Sequence, residues 1–232
     1  MINPSAHIGE NVKLGENVII EEGAIIGDGV SIGHHTIIYQ DTIIGNNVTI
    51  GSLTSLGKRP ARNKNMVTYG AEELTPLIIS DNVKIGEHCV IYRGTSIFED
   101  VFIGDLTSIR EQVEIQSNSV IGRNVMIETQ TTIGQHVTIQ TGSYITAYMI
   151  IEDDVFIGPH CSTSNDKIMR SGGASLQGPI IKSNVKIGNN ATLLPGITLA
   201  ENAVIGAGTT VVHDVPENTT VIGSGEKILP KN

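Results

Sequence analysis

A chain of 232 residues with no tryptophan, 3% aromatics and a net charge of −9 cannot build its interior from a few large rings. It also lacks the clustered Lys and Arg that neutralise phosphate on nucleic acid. With two cysteines, no run of 18 apolar residues and a start (MINPSAHIGENV) without a basic segment followed by an apolar one, the expectation is a cytoplasmic protein with no disulfide framework, no membrane partner and no nucleic-acid partner.

In chain order, a six-residue pattern begins at once. An aliphatic residue recurs at Ile8, Leu14, Ile20, Ile26, Ile32, Ile38, Ile44, Ile50 and Leu56. A first excursion, residues 57–78, breaks it with four cations in seven residues, Lys58, Arg59, Arg62 and Lys64. This segment reads either as a solvated loop or as a patch that meets phosphate. The pattern then holds from Ile79 to Ile157 for fourteen hexads without a slip. A second excursion, residues 163–180, mixes Asn165, Asp166, Lys167 and Arg170 with a Gly-Gly pair, and the phase resumes from Ile181 to Val211. Residues 215–232 leave it and are long enough to cap the last turn. Long irregular loops in an otherwise regular fold are commonly functional.

A period of six suits neither an α-helix nor a hairpin ladder, but it suits a parallel β-solenoid with three hexads per turn. The 29 hexads predict one all-β domain over residues 1–232, with nine to ten turns. Second-place glycines such as Gly86, Gly104 and Gly122 are expected where a corner demands unusual backbone angles. Fifth-place Cys89 and Cys161 should point inward as unpaired thiols.

Stacking by 18 residues puts Asp100, Asn118, His136 and Asp154 in one column. His136 beneath Asp154 has the form of a general base with its orienting carboxylate. The other six histidines read as ordinary corner or end residues. Opposite charges one turn apart, Asp105 with Arg123 and Arg93 with Glu111, read as ion pairs worth little each. No His or Cys spacing suits a metal, and there is no P-loop, Gly-x-Gly-x-x-Gly or Gly-x-Ser-x-Gly motif.

The hexads resemble those of the hexapeptide-repeat acyltransferases, which implies a left-handed parallel β-helix. A narrower likeness lies in Phe156–Pro159, Ser164-Asn165-Asp166 and Arg170, which are similar to a pattern of the nucleotide-sugar N-acetyltransferases of bacterial surface-glycan synthesis. That resemblance implies a homotrimer, with acetyl-CoA in the groove between neighbouring solenoids and a nucleotide-linked amino sugar nearer the excursions. It implies substrate contacts at Asn165, Asp166 and Arg170, to which the sequence adds Arg59 of the basic run and Tyr144 of the irregular YITAY stretch as candidates. It also implies CoA contacts at the Ala207 and Gly208 backbone and at Lys182 or Lys186, with no metal. Thr146-Ala147 departs from the Trp-Asp or Tyr-Asp pair of those enzymes. The expected reaction is attack of a neutral amine on a thioester, with His136 and Asp154 taking the proton. O-acetyl transfer to a hydroxyl and a non-catalytic scaffold are the other readings.

Overall fold

In the computed structural model, which describes residues 1–61, 63–64, 73–171 and 175–223, the chain coils as a left-handed parallel β-helix. Three parallel sheets of 10, 11 and 10 strands form the faces of a triangular prism. The first sheet starts at His7–Ile8, the second at Lys13–Leu14 and the third at Ile19–Ile20. We call the corner after each sheet by the same ordinal. Nearly every strand is two residues long, too short to stand alone, so its stability comes from the ladder above and below it. There are ten complete turns. Thr220–Val221, from the tail expected to cap the coil, begins an eleventh by pairing with Val204–Ile205.

Register follows the 18-residue spacing: Ile121 lies beside Ile139, and Ile139 beside Ile157. The excursions lengthen the spacing without shifting the ladder. Ile44 pairs with Ile79 and Ile151 with Ile181, 35 and 30 positions apart. First-place residues such as Ile103, Ile115 and Ile139 are wholly buried, each worth about 1.5–3 kcal/mol of burial. Fifth-place hydroxyls close the interior: Thr107, Ser119 and Ser143 donate to the carbonyls of Gly122, Gly134 and Gly158 at 2.9, 2.8 and 3.0 Å. Cys89 and Cys161 are buried and unpaired, as their places in the hexads predict.

Unusual backbone angles fall mainly at the fourth place of the hexads rather than the second, where Gly57 at the root of the first excursion is an exception with φ 89°. Asn118, His136 and Asp154 have φ of 63, 55 and 60°, a left-handed region in which Asn, Asp and His are enriched. The second-place glycines serve close approach instead. A Cβ on Gly104 would stand 2.7 Å from the Arg123 amide nitrogen and 2.9 Å from the Gly122 carbonyl carbon. Third-place carboxylates bind the corner below: Asp105 accepts from the Glu87 amide at 2.9 Å and Asp153 from Gln135 at 2.7 Å.

Candidate functional site

Both excursions leave the third corner, the first after Ser55–Lys58 and the second after Ser162–Thr163. Four uninterrupted corner layers lie between them, at residues 92–94, 110–112, 128–130 and 146–148. Four of the predicted substrate residues, Tyr144, Asn165, Asp166 and Arg170, lie toward the second excursion, and the fifth, Arg59, lies at the first. Tyr144 projects from the third sheet, and Asn165 opens the second excursion, where its Nδ2 donates to the Ala147 carbonyl at 3.4 Å. Asp166 caps that loop, accepting from the amides of Ile168 and Arg170 at 3.0 and 2.8 Å. Both its oxygens are therefore engaged in shaping the loop that carries Arg170.

Beside this loop is a cleft of about 550 Å³ whose lining includes Ser164, Asp166, Lys167, Pro195 and His213. His213, read from sequence as an ordinary end residue, is thus part of a cavity wall. A cleft of about 350 Å³ at the root of the first excursion has Tyr39, Lys58, Arg59 and Arg93 among its lining. Arg62, also in the basic run, lies outside the described residues. Arg93 is 5% exposed and anchors the excursion. It donates to the carbonyls of Leu74 and Gln40 at 3.1 and 2.9 Å and pairs with Asp41 at 3.3 Å.

The ion pairs expected from the columns are replaced by others. Arg93 turns to Asp41, and Glu111 is held by its sequence neighbour Arg110 in a two-pronged contact of 2.8 and 3.0 Å. Asp105 spends its carboxylate on a backbone amide rather than on Arg123. Corner geometry fans consecutive side chains into one plane, so a residue's partner is as readily beside it as one turn away.

The predicted base and the CoA lysines occupy other parts of the prism. His136 and Asp154 sit on the first corner with Nδ1 3.7 Å from Oδ1. Both are more than half exposed, and the spacing exceeds a hydrogen bond. Four of the seven histidines, His35, His88, His136 and His160, hold fourth-place positions with positive φ, so turn geometry alone accounts for a histidine there. Close by, Lys186 Nζ donates to the Asp154 carbonyl at 2.6 Å, and Lys182 pairs with Glu152 at 2.6 Å. The hydrogen bond from Lys182 holds the Glu152 carboxyl below its ordinary value. Ala207 and Gly208 lie on the second corner, where a Cβ on Gly208 would meet nothing within 4 Å. One chain therefore brings His136, Asp154, Lys182 and Lys186 together, and separately Tyr144, Asn165, Asp166 and Arg170, while Arg59 stands at the root of the other excursion. It does not join the two sets.

The third corner also holds a group that sequence reasoning missed. Tyr92, Arg110, Glu128 and Thr146 succeed one another in adjacent turns. The Arg110 guanidinium lies 5.2 Å from the Tyr92 ring centre and 3.6 Å from a Glu128 oxygen. Burial pushes the Glu128 carboxyl up against the pull of Arg110, with the Glu111 charge adding to the rise. Burial and the Glu128 charge likewise push up the Tyr144 hydroxyl. The signal was available as an 18-residue column one place before the column of Arg93 and Glu111.

Among the described residues, no group of three or more His, Cys, Asp or Glu could hold a metal ion, and no helix is long and apolar enough to cross a membrane. The bacterial transferase hexapeptide family (six repeats) matches residues 23–58 and 178–213. The hexapeptide repeat of succinyl-transferase matches 6–39 and 112–147. A protein of Schizosaccharomyces pombe named "Putative acetyltransferase C18B11.09c" is 44% identical over 63 residues, 27% of this chain and 30% of that protein. "Putative acetyltransferase SACOL2570" of Staphylococcus aureus is 40% identical over 63 residues, 27% of this chain and 32% of its own length. Each match thus spans less than a third of the relative. The structure of an Arabidopsis UDP-N-acetylglucosamine acyltransferase shares the fold, with a TM-score of 0.58 at 17% identity over 96% of this chain and 69% of the other.

Proposed function

From a chain that belongs to the bacterial transferase hexapeptide-repeat family, we propose an acyl-CoA-dependent acyltransferase that acetylates the amino group of a nucleotide-linked amino sugar. The observation that carries this reading is the pair of excursions rooted on one corner, which frames an acceptor site on an otherwise uniform coil. Acetyl-CoA is assigned to the second sheet and its flanking corners. Lys182 and Lys186 are at hand there for phosphate, and the Gly208 corner leaves its backbone open to a pantetheine chain.

In this reaction the amine lone pair attacks the thioester carbon, a C–N bond forms and the C–S bond breaks. The nitrogen's proton passes to His136, whose imidazolium the Asp154 carboxylate 3.7 Å away would stabilise, and from the imidazolium to the departing thiolate, which leaves as CoA. Base and acceptor residues stand on different corners of one solenoid. A complete site therefore needs two copies, which the threefold symmetry of a homotrimer supplies by setting the first corner of one copy against the third corner of the next.

Calorimetric titration with CoA and acetyl-CoA tests the reading first. Saturable binding near one site per chain supports it, and no binding at millimolar ligand removes it. His136→Ala is expected to lower turnover about 100-fold, the range for a lost general base, with little change in CoA affinity. Unchanged turnover would take the imidazole out of the chemistry.

A further inference from the structure

The layers between the two excursions carry an unbalanced charge. Arg110 commits Nε and Nη2 to Glu111, whose side chain is 2% exposed. That leaves Glu128 with one ion-pair contact, at 3.6 Å, and no hydrogen bond to its carboxylate among the described residues. One guanidinium thus faces two carboxylates. The cations toward the first excursion do not correct the imbalance. Arg93 is taken by Asp41 and two backbone carbonyls. Lys58, over the far side of Tyr92, lies three turns from Glu128, about 14 Å at the spacing of strands.

A carboxylate drawn partly out of water without hydrogen-bond donors is costly. Glu128 nevertheless stays 29% exposed, and its charge acts on the Tyr144 hydroxyl of the following turn. What is missing is a small cation with several donors. A primary ammonium offers three N–H groups and one positive charge.

We propose that this corner is an ammonium-binding subsite in which Glu128 holds the acceptor's amino group, so that the protein selects an amine over a hydroxyl of the same shape. The inference rests on the acyl-transfer reading and deepens it by assigning the recognition of the amine. The Arg110–Glu111 pair holds the subsite in place, because the planar fork fixes the guanidinium and keeps it from neutralising Glu128 fully. Burial, which pushes the Glu128 carboxyl up, is offset when an ammonium arrives and supplies the missing charge and donors. The ammonium then gives one proton to solvent on the exposed side, and the free amine so formed is the species that attacks the thioester. A hydroxyl analogue brings neither, and the difference expected from hydrogen bonds to a charged group is roughly 10- to 100-fold in affinity.

The test is calorimetric titration of the full chain, without acyl donor, with dTDP-4-amino-4,6-dideoxyglucose and with its 4-hydroxy counterpart dTDP-6-deoxyglucose. The wild type should bind the amino compound at least about 10-fold more tightly. Glu128→Gln should bind both at the affinity of the hydroxy compound, and Glu128→Asp should recover part of the preference. Unfolding curves of the unliganded variants establish that each is folded. Equal affinities in the wild type, a preference that survives in Glu128→Gln, or binding of neither sugar by a protein that binds acetyl-CoA overturns the subsite. Failure to bind acetyl-CoA overturns instead the reading on which it rests.

Discussion

Glu128 sets stability against recognition at a single side chain. Its carboxyl is pushed up by burial, so the folded state prefers the neutral form more than the unfolded chain does. A group of this sign favours folding most below its ordinary value, and that contribution is lost as pH rises through its folded value. Glu128→Gln should therefore raise the melting temperature at pH 7, with the gain over wild type vanishing toward pH 4, as thermal scans across that range will report. Glu152 has the opposite sign. The hydrogen bond from Lys182 lowers its carboxyl, so its contribution is present above the ordinary glutamate value and fades as pH falls through the depressed one. The thiols behave as interior groups, with burial pushing Cys89 up to about 11 and Cys161 also upward. Neither should react with a thiol reagent at pH 7.5 until denaturant is added. Prompt labelling of the native protein would mean that the coil opens locally.

At the scale of the hexad, the spacing of aliphatic residues was enough to read the sheets, the 18-residue register and both excursions, because one interior column repeats with no alternative phase. What each corner place requires was less legible. Glycine serves both positive φ and close contact, and a sequence does not say which is at work. The structure separates them, and each predicts a variant. Gly104→Ala meets the backbone of the next turn and should cost about 1–3 kcal/mol, the range for overpacking. Leu106 has φ 63° and is 58% exposed. Leu106→Gly should therefore stabilise by roughly 1 kcal/mol, since a left-handed residue with a Cβ carries about that strain. Chemical denaturation of the two variants measures both, and a loss at Leu106→Gly would refute the strain argument. Side-chain partners at the corners were the least legible feature. Arg93 reaches Gln40, 53 positions back, whereas Arg110 spends both its hydrogen bonds on the next residue. Both choices depend on how the fan of a corner is filled, which no periodicity encodes.

For the whole molecule, the placement of His136 and Glu128 on different corners makes a quantitative prediction for the proposed reaction. His136→Ala and Glu128→Gln chains, each impaired alone, should regain activity when unfolded together and reassembled. At equal mixing in a trimer, about a quarter of the sites would draw an intact residue from each contributor. Activity no higher than the average of the parent variants would place both residues in one chain's site or outside the chemistry. The ladder that continues undisturbed past both excursions has a consequence of its own. It makes the coil a ruler, because the gap between the two loops is set by a whole number of turns and changes only in steps of about 4.8 Å. Excising any 18-residue turn between them leaves every interior contact type in place while drawing the loops one step closer. The spacing of the two loop roots can therefore be altered without redesigning either loop.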